Sequence, residues 1–156
     1  MSSSGFECSE CRQKAGCIRM WLNRKFLSMA PLPIADDEQL ARFVLYSGWI
    51  RHTDQTIKPD AFIPYPHPNL SVTLLGGLSA QQIWDVGQHV GVLRNLTLYG
   101  RADVQAAIVR KLSLVVEPKP LKGNPNHANI LGWPTEKPAQ KIIALQLAAA
   151  SVFHKP

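Results

Sequence analysis

The chain predicts a single α+β domain, a mixed or antiparallel sheet packed by about three helices, preceded by a flexible basic extension. Three observations lead there. Strand-length apolar runs and helix-length amphipathic runs interleave without the strict alternation of a parallel α/β fold. Proline and glycine clusters punctuate the chain between those runs. The 156 residues, 46% hydrophobic and 18% charged, are enough for one buried core.

Residues 1–28 form the expected extension, and residues 29–156 the domain. The head holds Cys8, Cys11 and Cys17. Two thiolates at CxxC spacing can face one zinc ion, but a structural site takes four ligands. No fourth Cys or His follows before His52, so an extension without metal is the stronger expectation. Regular patterning begins only at Met29, and deleting residues 1–28 is expected to leave folding intact.

Asp36 or Asp37 is placed to cap a short helical turn through "DEQLAR". "RFVLYSGWI", rich in aromatic and β-branched residues, reads as a strand, and "HTDQT" as a turn. "IKPDAFIPYPHPN" holds four prolines between Pro59 and Pro68. Proline cannot donate to a ladder, so this stretch reads as an extended connector or edge. "LSVTLL" is a second strand, closed by Gly76 and Gly77. Ser79 and Gln82 have the spacing of a capping box, and the apolar stripe Ile83, Trp84, Val86, Val90 extends a helix over about 80–90. "NLTLYG" reads as a short strand, and Asp103 as the cap of a helix through "VQAAIVRKL". "LVVEP" and "HANILGW" are further strands. "TEKPAQKIIALQLAAASV" is a final helix with an N-terminal signal in Thr135 and Pro138. It is apolar nearly all round, so it is expected to lie across the sheet or to bury a face in a partner. Trp49, Trp84 and Trp133 read as core or interface anchors.

The net charge of +6 divides evenly. The head has five basic residues against Glu7 and Glu10; the remainder has twelve basic and nine acidic side chains, scattered along it. A nucleic-acid binder clusters its cations, so that partner class is the weakest of those weighed. The longest apolar stretch, "IIALQLAAASVF", is too short to span a bilayer. With all three cysteines before residue 18 and no secretory h-region in the head, the expectation is a cytoplasmic protein without membrane attachment.

Candidate site residues fall into three groups. His127, in "NPNHANILGWP", can donate or accept a proton near neutrality, which suits acid–base catalysis, with Asn126 and Asn129 to orient it or bind a polar ligand. Arg51, His52, Asp54, Lys58 and Asp60 make the densest polar cluster; Arg51 could fork onto a phosphate or carboxylate and Lys58 add a point charge. Arg101 precedes an expected helix start, where free amides attract anions. Each has a plainer explanation: turn chemistry, a solvated hairpin, and a loop-bonding arginine. No P-loop, GxGxxG, HExxH, GxSxG or EF-hand pattern occurs, so no cofactor is expected.

The leading expectation is therefore a small accessory or interaction protein without catalysis of its own, associating with a protein partner or with itself through the last helix. The rival is a small hydrolase or transferase for an anionic, phosphorylated or nucleotide-like substrate, with His127 as acid/base and Arg51, Lys58 and Arg101 holding the anion. That rival requires the four residues to converge.

Overall fold

The computed structural model describes residues 33–156. Eight strands and three helices follow in the order β1 (Gln39–Val44), β2 (Ile50–Arg51), β3 (Thr56–Ile57), β4 (Leu70–Leu74), α1 (Ala80–Arg94), β5 (Gly100–Gln105), α2 (Ala106–Lys111), β6 (Val115–Pro118), β7 (His127–Leu131), α3 (Lys137–Ala150) and β8 (Val152–His154). Six strands form one antiparallel sheet in the order β6-β7-β4-β1-β5-β8, while β2 and β3 pair as a separate hairpin. The protein is thus α+β, with helices on both faces of an antiparallel sheet.

The centre of the sheet is β1, which pairs with β4 on one side and β5 on the other. Side chains alternate across a strand, so Leu40, Arg42 and Val44 face one way and Ala41 and Phe43 the other. Leu40 and Ala41 are both fully buried, which requires cover on both faces. On the first face the cover is α3, whose Ala144, Leu147 and Ala148 enter the main core with Leu40, Val44 and Phe62. On the second face α1 closes a smaller core of Phe43, Leu45, Ile83 and Leu98. A Cβ on Gly87 would come within 2.8 Å of Phe43, so glycine lets α1 lie close to the strands.

Arg42 is a half-buried charge beside the main core. Its Nε donates to the Ala61 carbonyl at 2.9 Å and its Nη1 to the Ser71 carbonyl at 3.1 Å, and its guanidinium lies 5.5 Å from the Trp49 ring centroid. Burial presses its pKa down to about 10, so it remains cationic at neutral pH.

Several expectations are corrected. "DEQLAR" is not helical: Asp36 and Asp37 lie in a turn and the chain enters β1 at Gln39, because Gln39 to Val44 each find a ladder partner on β5. "RFVLYSGWI" is not one strand; a 3-10 turn at Ser47–Trp49 breaks it before β2. Asp103 does not cap a helix but sits within β5, opposite Ala41, and α2 starts after Gln105 without a side-chain cap. "NLTLYG" contributes only Gly100 to a strand. The proline-rich connector opens with a 3-10 turn, Pro59–Phe62, whose Ala61 and Phe62 are fully buried in the core. The capping box stands as expected: Gln82 N donates to Ser79 Oγ at 3.2 Å, and Ser79 N to Gln82 Oε1 at 2.8 Å. The extension over residues 1–28, with Cys8, Cys11 and Cys17, lies outside the described residues. Among the described residues no helix is long and apolar enough to cross a membrane.

Candidate functional site

His127 opens β7 opposite Thr73 of β4 and is only 9% exposed. Its Nδ1 lies 2.7 Å from the Lys119 carbonyl. A carbonyl can only accept, so Nδ1 carries the hydrogen, and in the neutral ring Nε2 is left as an acceptor. Among the described residues Nε2 has no protein partner. One backbone oxygen thereby fixes both the tautomer and the orientation of the ring.

The register puts His127 and Thr73 on the face of the sheet that carries α1. Between that face, the C-terminal half of α1 and the loop before β7 lies a cavity of about 140 Å³. Phe43, Leu45, Val90 and Leu93 give it apolar walls, and its polar lining includes Arg42, Ser71, Thr73, His89, Asn124 and His127. Leu93 and Leu121 line it while remaining 69% and 48% exposed, which makes an apolar collar at the mouth. Arg94 and Lys122, both exposed, also line it.

The loop is held down by its own polar contacts. Asn124 Nδ2 donates to Thr73 Oγ1 at 2.9 Å, both residues being buried, while Asn124 Oδ1 is buried without a partner among the described residues. Gly123 has φ +81°, and a Cβ there would collide with His89 Nε2. Glycine at this point lets the imidazole of α1 meet the loop backbone directly.

The other candidates sit elsewhere. Asn126 donates to the Leu74 carbonyl at 3.1 Å, tying the entrance of β7 to the end of β4. Asn129, buried, lies two residues beyond His127 on the same face, opposite Ser71. Arg51, His52, Asp54 and Lys58 belong to the β2–β3 hairpin and its exit. That hairpin lies on the other face of the sheet, where Arg51 and Asp54 share a cleft with Leu145 and Ala148 of α3. Asp54 Oδ1 accepts from Thr56 N and Thr56 Oγ1 at 3.1 and 2.7 Å, and these bonds lower its pKa. Arg101 shares the face of His127 but is three strands away, about 14 Å at the usual strand spacing. It donates from Nε to both Asp103 oxygens at 3.1 Å and stacks 4.8 Å from the Trp84 ring centroid. Burial pushes the Asp103 carboxyl above its ordinary range, against the pull of Arg101 and His154. The structure therefore does not bring Arg51, Lys58 and Arg101 to His127; the cations that line the cavity with that histidine are Arg42, Arg94 and Lys122.

His89, Thr73, Asn124, Arg94 and Lys122 escaped the sequence reading, because their convergence depends on α1 crossing the sheet above β4 and β7. Among the described residues no group of three or more His, Cys, Asp or Glu is placed to hold a metal. Comparison with family models, curated proteins and solved structures finds no match.

Proposed function

We propose that this protein binds a small apolar molecule carrying one O–H or N–H donor in the cavity beneath α1, with His127 Nε2 accepting that hydrogen. The observation that carries the reading is a mostly apolar cavity lined by a buried histidine whose second ring nitrogen is uncommitted. Apolar enclosures with a few placed polar groups are the usual form of a ligand site. The volume suits a single ring: dry apolar cavities of about 150 Å³ admit benzene. His127 would orient the donor and could take its proton, leaving the resulting anion in a cavity lined by Arg42, Arg94 and Lys122.

The experiment is a heteronuclear NMR titration of the full chain with phenol, toluene and benzoate. Phenol is expected to shift the His127 ring signals and the amides around Asn124, and to bind about tenfold more tightly than toluene, the worth of one net hydrogen bond. His127→Phe should abolish that preference. Toluene binding as well as phenol, or benzoate binding best, contradicts the reading.

A second reading, self-association through α3, is favoured by Ile142 and Leu145. They stand three apart on the helix and are 60% and 53% exposed. Sedimentation should then show a dimer that Ile142→Ser with Leu145→Ser converts to monomer; a monomer in both chains removes this reading.

A further inference from the structure

A second concavity, of about 590 Å³, opens at the end of the sheet where β1 leaves its ladder, between the 3-10 turn before β2 and the loop after α1. It is a shallow depression open to solvent, so a ligand would lie against it rather than be enclosed by it. Three aromatic residues line it: Tyr46, Trp49 and Tyr99, of which Tyr46 is 49% and Tyr99 39% exposed. Tyr46 meets Trp49 edge to face with centroids 4.8 Å apart, which steadies this part of the wall. Asp60, Asn95 and Thr97 supply the polar lining. Among the described residues their side chains, and the two tyrosine hydroxyls, make no hydrogen bond.

We infer that this concavity is a binding site for a neutral polyhydroxylated ring, a saccharide. Such a ring presents an apolar C–H face and a rim of hydroxyls. The electron-rich faces of the tyrosines match the first. A carboxylate that accepts from two neighbouring hydroxyls matches the second, since O–H to carboxylate bonds are among the strong ones; Asn95 and Thr97 both donate and accept. Charge narrows the class further. Asp60, the ionised residue in this lining, disfavours an anion. Arg42 does not line the concavity but lies 5.5 Å from the Trp49 ring centroid, so that ring already carries a cation.

The test is amide-shift mapping on the full chain with maltotriose, cellotriose, xylotriose and choline chloride. At least one saccharide should shift amides of residues 46–49 and 95–99, with millimolar affinity. Asp60→Asn and Tyr99→Ala should each weaken it by about tenfold. Asp60 is exposed, so its variant decides the matter even if Tyr99→Ala fails to fold. Phenol, directed at the other cavity, should not compete, which keeps the two sites separable. Absence of shifts with every saccharide, binding of choline alone, or saccharide binding that both variants retain overturns the inference.

Discussion

His127 owes its chemistry to a backbone carbonyl, and the loop that supplies it is fastened to β4 by Asn124 on Thr73 Oγ1 and by Asn126 on the Leu74 carbonyl. Thr73 is 1% exposed, so Thr73→Val keeps the shape but strands the Asn124 amide. Urea unfolding should register a loss of about 1–3 kcal/mol, the cost of a buried unpaired donor. Asp103 gives a pH signature of unusual sign. Its folded pKa is raised above the ordinary 3.8, first by desolvation. The native state therefore keeps the proton where the unfolded chain has lost it, so this contribution is fully present below pH 3.8 and is lost as pH rises through the folded value. In urea titrations across the acid range, stability should fall with rising pH more steeply in the wild type than in Asp103→Asn; identical slopes contradict the assignment. At this scale the sequence was informative about identity and silent about company. His127 stands out in "NPNHANILGWP", yet nothing local says that Lys119 will hold its ring or that His89, far back along the chain on α1, will share its cavity.

At the scale of elements, legibility followed the range of the interactions involved. α1 could be read because its start is self-contained: Ser79 and Gln82 satisfy each other's orphan groups within one turn. Only the second half of β1, Arg42–Val44, fell in a predicted strand; its first half did not, because "DEQLAR" has local helical credentials that lose to ladders with β4 and β5. The three-residue β8 was hidden for the same reason. It exists through pairing with Arg101 to Asp103 of β5, just after an Ala-rich run whose propensity points to continued helix. The packing of α1 makes a sharp prediction. Gly87 is buried on its sheet-facing side, and a branched side chain there would have to displace Phe43 and Leu98. Gly87→Val should cost about 1–3 kcal/mol from overpacking, read as a lower thermal midpoint. It should also perturb the cavity, whose walls include Phe43. A variant as stable as the wild type would mean that α1 does not sit this close.

For the whole molecule, composition and punctuation were enough to reach an α+β fold with a mixed or antiparallel sheet and about three helices, because those features sum over many residues. The location of a site was not, because an antiparallel sheet sends successive residues to opposite faces. The polar cluster Arg51 to Lys58 and the histidine at 127 look like partners along the chain but are parted by the sheet itself. The same geometry leaves the α1 face with a mostly apolar cavity, open at its mouth, and a fixed histidine, on which the functional reading rests. Its most direct test is a crystal of the protein soaked in 4-iodophenol, with the iodine located by anomalous scattering. The account predicts one iodine within the cavity beneath α1 and the phenol oxygen about 2.6–3.2 Å from His127 Nε2. Iodine sites confined to the outer surface, or a ring seated in the cavity with its hydroxyl turned away from His127, would contradict it.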